Sequence, residues 1–205
     1  KGEYTEISRA IDYLAGKKTR SIVAIIASGR RFERYFFGKK EIVIPVYSSG
    51  EMIPEAIRNQ VTLFVNFTSA RRTLSSTLSV FRDFPALIGG TVFAENVPER
   101  HAIELYQKSQ EQGKFVIGPA SVGLLIPNAI KLGAIGGVDR RQLTDAQLFT
   151  PGEVAVFSAS GGMTNELINT VIQAGKRISF ALSFGGDRFP LLTPKEAFLV
   201  AEADS

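Results

Sequence analysis

Residues 158–166, Ser-Ala-Ser-Gly-Gly-Met-Thr-Asn-Glu, carry the clearest chemical signal in the chain. They follow a β-like run at 154–157 and open an apolar helical run at 167–172. Small hydroxylated residues and two glycines between a strand and a helix present unpaired N–H groups to an anion. A plain helix cap, with Ser160 as N-cap and Gly161 and Gly162 easing the turn, explains the same residues. Other strand ends repeat the theme. A first apolar run ends in Ala27-Ser28-Gly29, without the G-x-G-x-x-G and following acid of a dinucleotide site. A third ends in 66–72, where Ser69 and Arg71 suit a phosphate or adenosine contact, or a helix cap with an exposed arginine. A fourth ends in Phe93-Ala94-Glu95-Asn96-Val97-Pro98, where Pro98 fits a first helical turn and Asn96 or Val97 its cap. The last ends in Gly185-Gly186-Asp187-Arg188-Phe189-Pro190. His101, the single histidine, falls at the edge of a helical apolar stripe and reads as a boundary residue.

These loops need a scaffold. Short apolar runs alternate with helix-period segments, the pattern of a parallel sheet covered by helices. Strands are expected at 21–27, 41–47, 61–66, 86–93 and 114–117. Helices are expected near 70–82 and over 98–112, the latter with Ala102, Leu105, Tyr106 and Ser109 on one face. Pro45 argues that the 41–47 strand lies at an edge. Residues 29–40 are short for a crossover helix. Either that crossover is degenerate or residues are absent there; absence is the expectation. The glycine-rich stretch 118–137 reads as loops with one irregular strand. A second unit follows, with strands at 152–158 and 178–184 and helices at 162–175 and 194–202. Two strands are too few for a separate domain, so the chain is expected to end partway through it.

Composition narrows the function classes. The 205 residues are 44% apolar with a net charge of +4 and no cysteine. Disulfides, thiolate metal sites and cysteine nucleophiles are excluded, and one histidine excludes a multi-imidazole metal centre. No apolar run approaches the ~18 residues of a membrane span, and no leader pattern is visible, although a chain opening on Lys1 says little about what precedes it. The basic cluster Arg30, Arg31, Arg34, Lys39 and Lys40 suits a polyphosphate ligand or a solvated loop. Phe32, Tyr35, Phe36 and Phe37 interleave with it, but no stacking-platform motif is present, so nucleic acid is not expected as a partner.

Three segments together resemble one family. Gly118-Pro119-Ala120-Ser121-Val122-Gly123, continuing through Pro127 and Lys131-Leu132-Gly133, is similar to the glycine-proline loop of nucleoside-triphosphate-dependent acyl-CoA ligases. The 158–166 segment resembles the phosphate-binding helix start of their α-type part, and 185–190 the turn that follows. Within this succinyl-CoA synthetase superfamily, the Gly-Gly-Met-Thr-Asn-Glu and Asp-Arg-Phe-Pro forms and residues 37–46 resemble the ATP-citrate lyases.

The resemblance implies an α/β fold: a Rossmann-like parallel-sheet CoA-binding domain at 1–145, then at 146–205 the start of a flavodoxin-like ligase domain. It places coenzyme A on Ser28, Gly29, Lys40, Ser69, Arg71, Phe93, Ala94 and Glu95. It places a phosphate on Ser160, Gly161 and Gly162, with Asn165 lining the carboxylate substrate. The implied function is part of an ATP-citrate lyase, making acetyl-CoA and oxaloacetate from citrate, CoA and ATP. A succinyl-CoA-synthetase-type or citryl-CoA-synthetase-type ligase without lyase activity and a non-catalytic CoA-binding module are the alternatives. The family's phosphorylated histidine lies in a Gly-His-Ala-Gly segment that this chain lacks, and His101 does not match it. Where the family commonly has arginine, this chain has Ala159. ATP and Mg would be held by an ATP-grasp β-type subunit or segment. A cytoplasmic homo- or hetero-oligomer with no membrane contact completes the expectation.

Overall fold

The computed structural model describes residues 2–203. Helix α1 (Gly2–Leu14) opens the chain and is not among the elements expected from the sequence. Strand β1 (Ile25–Ile26) runs parallel to β3 (Lys40–Tyr47), and β2 (Phe32–Phe37) pairs with β3 as an antiparallel hairpin. No crossover helix stands between β1 and β3; a strand fills the expected gap. Residues of β2 alternate between exposed and half-buried along its length, the period-2 pattern of a strand with one face in water. Pro45 sits in the central strand of this sheet, not at an edge. The ladder tolerates it because pairing with β1 begins one residue later, at Val46, where no Pro45 N–H is required.

A second sheet carries β4 (Leu63–Asn66), β5 (Gly89–Val92) and β6 (Phe115–Ile117), all parallel, in that order. Helix α2 (Glu55–Arg58) precedes β4. Helices α3 (Ala70–Asp83) and α4 (Glu99–Glu111) make the crossovers. Thr73, Thr77 and Phe81 form the buried stripe of α3, and Ala102, Leu105 and Ser109 that of α4, both at the three-to-four-residue spacing of one helix face. Tyr106, grouped with the α4 stripe by period, is exposed. Phe64, Phe81, Phe84, Leu87, Val92, Leu105 and Val116 form the core between sheet and helices.

Within 118–137, two regular strands replace the single irregular one. They are β7 (Gly123–Ile126) and β8 (Ile130–Gly133), an antiparallel hairpin. Asn128, at φ +63°, closes the turn in the left-handed region that asparagine tolerates. Helix α5 (Arg140–Asp145) follows, capped by Asp139, then β9 (Val154–Ser158), α6 (Gly161–Gln173), β10 (Ile178–Ser183) and α7 (Pro194–Ala203). Strands β9 and β10 do not stand alone. β10 pairs parallel with β9 on one side and antiparallel with β7 on the other, giving the order β8-β7-β10-β9.

This third sheet takes strands from both sides of residue 145. Its core joins Ile7 and Ile11 of α1 to Leu125, Leu143, Val156, Ile168 and Ala181. The opposite face packs Phe157, Phe180 and Leu182 against Ala197 of α7, so α6 and α7 cover different faces. The architecture is the expected α/β class with parallel strands and covering helices. No helix among the described residues is long and apolar enough to cross a membrane.

Candidate functional site

The strand ends that the sequence singles out converge. After β5, the Ala94 carbonyl accepts the Ala120 N–H (2.8 Å), and the Ala120 carbonyl accepts that of Gly186 (3.4 Å). The Gly118 carbonyl accepts the Leu191 N–H at 2.8 Å, and Phe184 donates its N–H to the Ser158 carbonyl at 3.0 Å. The carboxyl ends of β5, β10 and β9 are thus stitched to the 118–122 loop. β4 joins them, because Phe93 donates its N–H to the Asn66 carbonyl at 3.0 Å. Ligands in open α/β sheets bind outside such carboxyl ends.

Close backbone approach explains two of the glycines. Gly185 has φ +105°, and a Cβ there would run into the Pro119 carbonyl oxygen. A Cβ on Gly161 would collide with the Val122 side chain. Gly162 differs: only the neighbouring Ser160 hydroxyl lies within 4 Å of an added Cβ, so the first turn of α6 is open to a ligand on that side.

The two candidate serines behave differently. Ser160 does cap α6, its Oγ accepting the Met163 N–H at 3.3 Å, while the Gly161 and Gly162 N–H groups find no acceptor among the described residues. Ser69 occupies the N-cap position of α3, yet its side chain makes no capping bond. Ser69 and Arg71 are both exposed. Asn66, which the sequence did not single out for a role, fixes that loop. Its amide nitrogen donates to Ser76 Oγ (2.8 Å) and Thr77 Oγ1 (2.9 Å), and its Oδ1 accepts from Thr68 N (2.9 Å) and Thr68 Oγ1 (2.8 Å). An asparagine at a strand end is the signal for such a turn.

Phe93 and Ala94 lie at this edge, with exposed Glu95 next in the chain. The Phe93 ring stands 4.6 Å from that of Phe67 and 5.4 Å from that of Tyr4 on α1. Asn165 reaches inward, its Oδ1 accepting the Gly136 N–H at 2.8 Å; it ties α6 to the loop after β8. The cap expected from Asn96 or Val97 is made by neither. Asp187 accepts both their N–H groups, at 3.2 and 3.1 Å, placing the 185–190 turn against the start of α4. Arg188 pairs with Glu99 at 3.1 Å. His101 sits half-buried on α4 and is not drawn into the edge.

The Ser28–Gly29 turn and Lys40 lie at opposite ends of the first sheet. Ser28 and Gly29 lie in the exposed turn after β1, near Tyr47, whose carbonyl accepts the Ala27 N–H at 2.9 Å. Lys40 begins β3 at the hairpin tip, opposite Phe37. β3 has eight residues, so Lys40 and the Ser28–Gly29 turn are separated by about 25 Å.

Lys131 is a buried cation that spacing could not reveal. It is 3% exposed under α1, where Ser8 Oγ donates to its carbonyl at 3.3 Å. Its Nζ donates to the Gly133 carbonyl at 2.5 Å, and burial pulls it down to about 7.

No family model matches the chain. A probable ATP-citrate synthase subunit 1 of Schizosaccharomyces pombe is 36% identical over 197 residues, 94% of this chain and 31% of that protein. An ATP-citrate synthase beta chain of Arabidopsis thaliana is 36% identical over 87% of this chain and 29% of its own length. The structure of ATP citrate lyase from Methanothrix soehngenii in complex with citrate and coenzyme A superposes with a TM-score of 0.89 at 30% identity. That superposition covers 97% of this chain and 32% of the other. The chain spans about a third of the length of these relatives.

Proposed function

Because this chain is a homologue of the ATP-citrate synthases, also named ATP-citrate lyases, over one third of their length, we propose that it is the CoA-binding and acyl-phosphate-handling part of such an enzyme. The observation that carries the reading is the stitched edge formed by the ends of β4, β5, β10 and β9. It puts an uncommitted Ser69 and Arg71 on one side and the open first turn of α6 on the other.

Each part has a task in that reading. Arg71 offsets phosphate charge of CoA, and Ser69 donates its hydroxyl at the start of α3, whose positive dipole end adds to the attraction. The Gly161 and Gly162 N–H groups receive the phosphoryl group of the acyl phosphate, an anion at a helix start. Ser160 holds that turn in shape, and Asn165 positions α6 against the loop after β8, where its amide nitrogen faces the citrate end. Phe93, Ala94 and Glu95 border the pantetheine path, while Ser28, Gly29 and Lys40 add outlying contacts. The phosphorylated histidine, the ATP-grasp partner with its ATP and Mg, and the step that cleaves citryl-CoA come from outside these 205 residues. We assign 1–145 to the CoA-binding part and 146–205 to the ligase part, in a cytoplasmic oligomer.

Isothermal titration of the chain with CoA tests this. Saturable binding is expected, weakened about tenfold or more by Arg71→Ala, the worth of one charge-assisted hydrogen bond. A smaller loss is expected for Ser69→Ala. No binding, or affinity untouched by both substitutions, would defeat the assignment.

A further inference from the structure

Away from the stitched edge, α1, β2 and α5 enclose a cleft of about 800 Å³, within the usual range of roughly 300–1,000 Å³ for small-ligand sites. None of the residues assigned above to CoA or phosphate lines it. We propose that this cleft is a second anion site, taking a small molecule that carries several phosphate or carboxylate charges.

The argument starts at Arg9. Its side chain comes off α1, is only 7% exposed, and points its guanidinium across the Tyr35 ring at 5.0 Å. Its Nε is buried with no hydrogen-bond acceptor. Buried charges in folded proteins are paired or bind something, and arginine cannot escape by losing its proton. The other elements contribute more of the same charge: Arg34 from β2, and Arg140 and Arg141 from α5. Burial holds Arg9 below the ordinary guanidinium value; Glu6 and Tyr35 oppose that shift and Arg140 adds to it. Arginines from three chain segments therefore line one space, and their planar, fork-shaped donors match phosphate and carboxylate oxygens.

Acids also border the cleft, and they do not fill this role. Asp139 is spent on the cap of α5, accepting the Arg141 N–H at 2.6 Å. Glu6 and Asp145 are exposed and make no ion pair with the cleft arginines. Arg34 reaches Glu41 at 3.8 Å, between two side chains more than half in water. Tyr35 stays neutral, since burial and its bond to Glu33 push it up to about 12. Its ring, with that of Tyr13, gives the cleft an apolar wall on which the body of an organic anion can rest.

The test titrates the chain with inorganic pyrophosphate and with citrate at constant ionic strength, by calorimetry, in wild type, Arg9→Met, Arg140→Gln and Arg71→Ala. A saturable site that depends on the cleft arginines is expected for at least one probe, beside any binding at the start of α6. Its Kd should rise about tenfold or more in Arg9→Met and several-fold in Arg140→Gln, and stay unchanged in Arg71→Ala. Binding of pyrophosphate alone identifies a phosphate ligand, and binding of citrate alone a polycarboxylate. Failure of both probes to saturate overturns the proposal, as does a Kd indifferent to Arg9→Met and Arg140→Gln. Should Arg9→Met fail to fold by circular dichroism, the exposed Arg140→Gln decides. CoA is titrated in parallel: loss of CoA affinity in Arg9→Met would make the two sites one and refute a second site. Loss of CoA affinity in Arg71→Ala alone leaves both readings standing.

Discussion

Lys131 offers the sharpest physical prediction. Its Nζ is sealed beneath α1, bonded to the Gly133 carbonyl and to no carboxylate among the described residues. Desolvation lowers its value from 10.5 to about 7, so between those values the unfolded chain carries a proton that the folded chain does not. Stability then rises with pH across that window, flattens above it, and below about 7 keeps the full cost of a buried ammonium. At about 1.4 kcal/mol per pH unit, the whole window is worth roughly 5 kcal/mol, and the step from pH 7 to 9.5 roughly 3 kcal/mol, as ceilings. Lys131→Met keeps the length, removes the charge and leaves the Gly133 carbonyl unpaired at a cost of about 1–3 kcal/mol. Urea unfolding followed by circular dichroism at pH 7, 8, 9 and 9.5 gives the curve for each protein. The variant should equal or exceed wild type at pH 7, and the balance should move toward wild type by at least 1 kcal/mol by pH 9.5. Other lysines and tyrosines titrate alike in both, so their contributions cancel in the difference. Parallel curves for the two proteins would show that Lys131 is not desolvated by α1, and the placement of that helix would fall with it.

Other substitutions separate shape from function. Ser160→Ala should lower stability by about 1 kcal/mol, the usual worth of an N-cap, whereas Ser69→Ala should leave the melting temperature unchanged, because its hydroxyl caps nothing. Gly185→Ala should cost about 3 kcal/mol or more by chemical denaturation, since a Cβ meets the Pro119 carbonyl in a left-handed backbone. Gly175→Ala, also at positive φ but with nothing within 4 Å, should cost only about 1 kcal/mol. Asn66→Ala removes an amide bonded on both ends and should cost about 2–4 kcal/mol; amide exchange at 67–69 should quicken with it.

Much of the fold was legible because it is local. The boundaries of α3 and α4 follow from residues three and four apart, and the start of α6 from Ser160 and the glycines beside it. Residues 32–37, Phe-Glu-Arg-Tyr-Phe-Phe, misled because two charges and then three aromatics follow one another there, so the residue types do not show the period-2 alternation that their burial does. Residues 123–133 misled because their glycines mark close approaches between strands, such as Gly123 against the Leu132 carbonyl, and glycine in a sequence reads first as loop.

The sequence by itself determined the alternation of strands and helices, the strand-to-helix turns and the chemical character of each strand end, since these depend on neighbours a few residues apart. Only the tertiary structure decided which ends meet. Asp187 reaches the start of α4, Ala120 links Ala94 to Gly186, and β7 completes the sheet of β9 and β10. Pairing partners are chosen by burial summed over the whole chain, which no local period encodes. The same holds for Lys131 and Arg9. A lysine or arginine in a sequence is a solvated charge by default, and it becomes a buried one only when a distant element packs on it: α1 over Lys131, and Tyr35 of β2 against Arg9.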